Sequence, residues 1–313
     1  MLLIGSHALK QEVIDRLLPP GLIVTNTASS TLALAITSGK KLTLTSTGDF
    51  NLTIPASTGL REKLSANRTY YVRTDGSDSN TGLVDSAAGA FLTIQKAVDT
   101  IANTLDIAGY TVTIQVRDGT YTGAVTLKNV VGFAAAGNLV IQGNSGTPAN
   151  VVVSVTNADC FAADGISSVW DIKDMKLTTV TGYYACLYAV NGAAIRFGNI
   201  NFGSCSNVQI YTRNGRIQCL SNYTISGGSN YHWLANNNGF LFIQGFTITL
   251  TGTPAFTYFA VAQQVGMALV NNNTYSGSAT GSRYLADTNG VIKSGATLPG
   301  DVDGSTATGG QYV

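Results

Sequence analysis

The sequence predicts an all-β chain wound as a parallel β-helix, and three observations carry that prediction. Five glycines, Gly165, Gly192, Gly215, Gly239 and Gly266, recur at intervals of 27, 23, 24 and 27 residues. An apolar position near the end of each unit, Leu177, Phe202, Ile225, Ile248 and Tyr275, recurs at 25, 23, 23 and 27. Between these markers lie short strand-like runs separated by Gly and Asn, with no Leu-x-x-Leu-x-Leu framework and too few residues per unit for a propeller blade. One coil of a parallel solenoid has this length. Coils stacked about 4.8 Å apart bring like residues over like. Asn191 and Asn214, each preceding a repeat glycine, fit an asparagine ladder at a tight turn, where Asn tolerates the left-handed conformation.

The elements follow in chain order. Residues 7–18 space Leu9, Val13 and Leu17 four apart, which predicts a short amphipathic helix stopped by "PPG" at 19–21. "KLTLTSTGDFNLTIP" alternates Leu42 and Leu44, then Phe50, Leu52 and Ile54, the pattern of a β-hairpin turning at "STGD". Residues 56–68 lose the alternation and gather charge, and read as a linker. A strand at 69–72 leads into "TDGSDSNTG" at 74–82. Phe91, Ile94, Val98, Ile101 and Leu105 then mark one face of an amphipathic helix, suited to capping the open first coil of a solenoid. From about residue 109 the strands "YTVTIQV", "AVTLKN", "NLVIQG" and "NVVVSV" precede the clear repeats. The expected organisation is 1–60 as an attachment region, 61–108 as entry strand, turn and cap, 109–280 as a solenoid of roughly eight coils, and 281–313 as a closing segment.

Composition narrows the function. Charged residues are 11% of 313, under half of the roughly 25% usual in soluble domains. Such a surface suits a chain that associates with copies of itself or sits in a large particle. A net charge of +1 favours neither nucleic acid nor an anionic membrane as partner. Cys160, Cys186, Cys205 and Cys219 match no zinc or CxxC spacing and read as buried small hydrophobes. "MLLIG" is too short an apolar run for a signal peptide and no span reaches transmembrane length, so synthesis in a cytoplasm is expected.

The segment "YYVRTDGSDSNTGLVDSAAGAFLTIQKAVDTI" resembles the entry segment of right-handed parallel β-helix proteins of the pectate-lyase-like type, especially those of phages and prophages. "TLALAITSGKKLTLTSTGDFNLTIPAST" resembles amino-terminal segments of phage tail-fibre proteins, and "GSATGSRYLADTNGVI" with "STATGGQYV" resembles a carboxy-terminal segment of the same proteins. The resemblance implies a tail fibre or tailspike in a virion, docked to other particle proteins through its amino-terminal region and facing a host surface polysaccharide; low charge, an apolar uncapped solenoid flank and the symmetry of a particle add the expectation of a homotrimer. The resemblance is weak for activity, because the same fold serves adhesins, lyases and hydrolases.

The chemistry-bearing residues are therefore weighed singly. Calcium at Asp75 and Asp78 needs a set of spaced oxygen ligands and usually a later Glu; no Glu follows Glu62, so the loop reads as a turn, and no metal or cofactor is expected. Glycoside hydrolysis needs two carboxylates roughly 5 to 9.5 Å apart, yet no Asp or Glu lies between Asp174 and Asp287. Asp171 and Asp174, an odd number of positions apart, point to opposite faces of a strand, and Asp159 and Asp164 flank a turn. His232 has no acid within 50 residues and reads as a partly exposed turn histidine rather than a triad member. Aromatics are better supplied: Tyr183, Tyr184, Tyr188, Tyr211, Tyr231, Trp233, Tyr258 and Phe259 fall in or before the first strand of successive coils. Aromatic faces beside Asn and Gln amides suit a neutral sugar, while core filling or subunit packing is the competing role for each. The expectation is recognition of a host glycan without catalysis through Tyr183, Tyr188, Tyr211, Trp233 and Tyr258. A polysaccharide depolymerase and a purely structural particle decoration stand as alternatives.

Overall fold

The computed structural model describes Leu22–Thr27, Thr31–Ile36 and residues 61–313. The chain divides into two compact units, Met1–Thr58 and Gly59–Val313. In the first, Leu22–Thr27 and Thr31–Ile36 pair antiparallel, from Leu22 opposite Ile36 to Thr27 opposite Thr31. The helix expected at 7–18 and the hairpin expected at 41–55 lie outside the described residues.

The second unit is the expected all-β parallel β-helix, of about seven turns rather than eight, consistent with right-handed winding. Three parallel sheets form its walls. The ten-stranded sheet runs from Arg68–Val72 to Gln311–Tyr312, the eight-stranded from Val125–Thr126 to Ser305–Thr306, and the seven-stranded from Gly119–Tyr121 to Thr274–Ser276. Parallel pairing in constant register stacks side chains into columns. One inward column of the ten-stranded sheet reads Val112, Leu139, Trp170, Ile195, Ile217, Leu241, Ala268 and Ile292, every member fully buried. Burial of that apolar surface, at roughly 25 cal/mol per Å², is the main stabilising term of such a stack.

Both repeat markers need adjustment. In the seven-stranded sheet Leu177, Phe202 and Ile225 stack as expected, but Ile225 lies under Leu250, and Ile248 pairs with Tyr223 and Tyr275. The apolar spacing therefore jumps between two parallel columns, two residues apart. At the corner between the eight- and ten-stranded sheets, Ala193, not Gly192, occupies the position of Gly215 and Gly239, because Ala194, Arg216 and Phe240 are in register. A Cβ at Gly215 would meet the Ala189 carbonyl oxygen at 2.4 Å, and one at Gly239 would meet that of Thr212 at the same distance. Close passage of the preceding coil explains those glycines. The left-handed turn expected at Asn191 and Asn214 is present, with φ of 54° and 48°.

The cap is an α-helix over Ile94–Thr104, with Thr93 as N-cap and Ile94, Ala97, Val98, Ile101 and Ala102 buried. Phe91 and Leu105 fall outside it: Phe91 bridges to Val72, and Leu105 belongs to a short strand that pairs with Glu62–Lys63. That pairing, with Leu64 only 4% exposed, makes residues 61–68 part of the packed body rather than a linker. The loop at 74–82 is a built turn. Asp78 accepts from the backbone N–H groups of Leu92 and Thr93, both at 2.9 Å, and from the Thr93 hydroxyl at 2.7 Å.

Candidate functional site: an outward tyrosine strip

Successive residues of a regular strand face opposite sides of the sheet. The eight-stranded sheet breaks this rule in coil after coil. In Ala185–Val190, Cys186 and Leu187 both enter the core; in Ser229–Asn236, His232 and Trp233 do; in Ala255–Gln263, Phe259 and Ala260 do. Gln209 and Ile210 are the corresponding buried pair in Val208–Arg213. Such doubled inward residues bend a strand as a bulge does, and they turn the residues on either side of the pair outward and towards each other.

The result is a second apolar cluster, separate from the core, on the outer face. Ala185, Val208, Leu234 and Val261 are its buried members, with Tyr188, Tyr211, Tyr231, Tyr258 and Leu285 half-buried around them. One row in register is Ala185, Val208, Tyr231, Tyr258; the other is Tyr188, Tyr211, Leu234, Val261, Leu285. The aromatics thus cross from one row to the other midway. Tyr188 and Tyr211 stack with centroids 4.9 Å apart at 24°, and Tyr231 and Tyr258 at 6.3 Å and 15°. Burial raises the Tyr188 hydroxyl pKa above its ordinary value. A third row, Val190, Arg213, Asn236 and Gln263, edges the strip. Among the described residues Arg213 is exposed and makes no ion pair, and the side-chain oxygen of Asn236 has no hydrogen-bond partner. At the strip's start, burial raises Asp159, whose carboxylate accepts from the Ala185 N–H at 2.6 Å.

Of the aromatic candidates, Tyr188, Tyr211 and Tyr258 come together here, and Tyr231 joins them. Tyr183 precedes the strand and is 89% exposed. Trp233 is a correction: it is fully buried, edge-on to Phe259 at 4.9 Å, because the doubled inward pair sends it to the core while Tyr231, two residues earlier, faces out. His232 is a second correction. It is fully buried in a strand, with Nε2 2.8 Å from the Tyr223 hydroxyl and Nδ1 2.6 Å from Gln209 Oε1. Gln209 uses its amide N–H groups on the carbonyls of Gly203 and Gly227, so its oxygen must accept. His232 therefore carries its proton on Nδ1 and accepts the tyrosine's at Nε2. Burial holds its pKa well below 6.5.

The carboxylates are occupied structurally. Asp171 is buried against Arg196 through bonds of 2.7 and 2.6 Å. Asp174 lies beyond the strand Trp170–Lys173 at φ 62°, so the strand-parity expectation does not apply to it, and it accepts from Asn199. Asp159 and Asp164 do not flank a turn: Asp164 is the last residue of the strand Phe161–Asp164, Asp159 lies two residues before that strand, and Asp164 accepts from Asn191. All four cysteines are free and buried, as expected. An acidic and basic cleft that the sequence reading missed, of about 480 Å³, lies beside the entry loop among Arg73, Thr74, Asp75, Arg117, Asp118 and Asn144. There Arg73 bonds Asp75 at 2.8 and 3.0 Å and Asp85 at 3.2 Å, and Arg117 bonds Asp85. These arginines hold the Asp75 and Asp85 carboxyls below their ordinary pKa, the opposite of what a general acid requires. Set against family models, curated proteins and solved structures, the chain matches none.

Proposed function

We propose that this chain is a structural, receptor-recognising protein of a phage particle, a tail or head fibre, that binds a host surface glycan without cleaving it. The supporting observation is the tyrosine strip. It gathers two stacked tyrosine pairs, an apolar floor and an amide-bearing edge, the kinds of group on which a neutral sugar ring rests. The resemblance of the entry segment to phage β-helix proteins gives the setting. In this reading residues 1–60 attach the protein to the particle, and three copies assemble about an axis parallel to the solenoid, as symmetric oligomers do.

The test is direct binding of polysaccharide fragments from candidate hosts, with Tyr211→Ala beside the wild type. Binding lost at least tenfold in the variant, with no shortening of the polysaccharide on incubation, supports the proposal. Light scattering that finds a stable monomer at micromolar concentration refutes the trimer. A depolymerase is the second reading, and its candidate group is Asp118 in the entry cleft, which is held by the amides of Asn144 and Asn150 where Asp75 is held by Arg73; shortened chains that disappear with Asp118→Asn would establish it. Absence of any glycan binding would leave a particle decoration.

A further inference from the structure

A second cleft, of about 590 Å³, opens at the carboxyl-terminal turns, among Arg283, Tyr284, Asp303, Tyr312 and residues 295–297. Its volume lies in the range that holds small organic ligands. Tyr284 and Tyr312 stack face to face, with centroids 3.8 Å apart and planes within 3°. Both rings are fixed. A Cβ at Gly304 would come within 2.2 Å of the Tyr284 ring, so that glycine lies flat against it. The Tyr312 hydroxyl donates to the Ala296 carbonyl at 3.0 Å. An apolar platform is thereby held rigidly at the cleft wall.

Arg283 supplies the charge. Its Nη1 donates to Asp303, while its Nε is buried and has no acceptor among the described residues. A guanidinium is shaped to hold a carboxylate through two parallel bonds. The pair is lopsided in exposure: the Arg283 side chain is 27% exposed and that of Asp303 95%. An exposed carboxylate on one arm of a mostly buried arginine is worth little by itself and is easily exchanged for another.

We propose that this cleft binds a sugar bearing a carboxylate, a uronic acid residue, whose carboxylate takes the place of Asp303 on Arg283 while the sugar ring lies against Tyr312. The proposal rests on the reading that the chain meets glycans, but not on the tyrosine strip. Asp303 is then an internal competitor for the arginine, and removing its charge strengthens binding, an effect that a merely structural ion pair does not produce.

The experiment titrates glucuronate and galacturonate, with glucose as neutral control, into the full chain by calorimetry and saturation-transfer NMR. The variants are Arg283→Lys, Arg283→Gln, Asp303→Asn and Tyr211→Ala. The expected result is saturable uronate binding at least tenfold tighter than glucose, lost at least tenfold in both Arg283 variants, strengthened severalfold in Asp303→Asn, and unchanged in Tyr211→Ala. Uronate no tighter than glucose, or weaker binding in Asp303→Asn, overturns the proposal. Should the Arg283 variants fail to fold, Asp303→Asn, a change at an exposed side chain, still decides it. A strip that binds neutral oligosaccharide while uronate fails here leaves the glycan reading intact and refutes only this site.

Discussion

Replacing Trp233 separates core from surface in one series. The indole is fully buried, lies in register between Ile210 and Ala260, and contacts the rings of His232 and Phe259 at centroid distances of 5.0 and 4.9 Å. Trp233→Ala would place alanine over alanine in adjacent coils, so the next coil cannot fill the void. The cost should fall towards the upper end of the usual range of about 3–5 kcal/mol. Trp233→Phe keeps one ring in the column and also removes the indole N–H, which has no partner among the described residues. A buried orphan donor costs roughly 1–3 kcal/mol, so its removal offsets much of the lost packing, and a net change of about 1 kcal/mol or less is expected. Urea unfolding followed by far-ultraviolet circular dichroism measures both variants, and glycan affinity is measured on the folded proteins. A loss below about 1 kcal/mol in Trp233→Ala, or equal losses in the two variants, would refute the packing argument. A folded Trp233→Phe protein that has lost glycan affinity would refute the assignment of binding to the outer strip.

Three further outcomes follow from the same geometry. Asp78→Ala removes three hydrogen bonds that hold the helix entry and should cost about 1–2 kcal/mol; a thermal melt unchanged in that variant would contradict the turn assignment, and chelator should leave the wild-type melt where it is. Because burial depresses the His232 pKa, the unfolded chain binds the extra proton first, so stability is full above about pH 6.5 and falls as pH drops through it. The loss is about 1.4 kcal/mol by pH 5.5, and His232→Gln should lack that component when unfolding is measured at pH 7.5 and 5.5. Glycan binding at the strip should change less than about twofold between 50 and 500 mM salt, because screening acts on charges and hardly on stacking; a tenfold fall would shift the binding role to Arg213.

The fold was legible because a solenoid writes its geometry into period. Gly215, Gly239 and Gly266 recur since each coil must pass close under the one before it, and Asn191 and Asn214 mark left-handed turns. Registers were less legible. Ile225 and Ile248 are both apolar, and only the pairing distinguishes neighbouring columns two residues apart. The candidate site was half legible. Tyr188, Tyr211 and Tyr258 announce themselves as repeated aromatics, but Leu234 and Val261, which floor the strip, look like ordinary core residues. His232, read as a turn residue for want of a nearby acid, and Trp233, read with the recurring aromatics, both enter the core, and nothing in "YHWLAN" signals that doubled inward pair. The entry cleft was missed because Asp75, Asp85 and Arg117 meet only when the first coils stack.

That doubled pair links architecture to the proposed function. With strict alternation, Tyr231 and Trp233 would share a face, and one of them would be an apolar side chain left in water or a phenol forced into the core. The bend resolves this by giving the core two consecutive side chains and bringing the flanking rows together in one outer cluster. The pair recurs from Cys186–Leu187 to Phe259–Ala260, and the registered row beside it carries the strip from Tyr188 to Leu285. Four steps of about 4.8 Å make it roughly 19 Å long. A surface of this kind is costly to leave bare, since contiguous apolar patches on soluble chains mark places where something binds. Polar substitution of the strip's floor then gives a sharp discriminant. Val261→Thr is close in volume and adds a hydroxyl on the outer face, where the core is not disturbed. If the strip serves only the chain's own packing, stability should drop by about 1–2 kcal/mol, with glycan affinity intact. If sugar rings lie over the strip, affinity should fall in step with Tyr211→Ala in addition to that loss of stability, because Val261 is buried in the free chain as well.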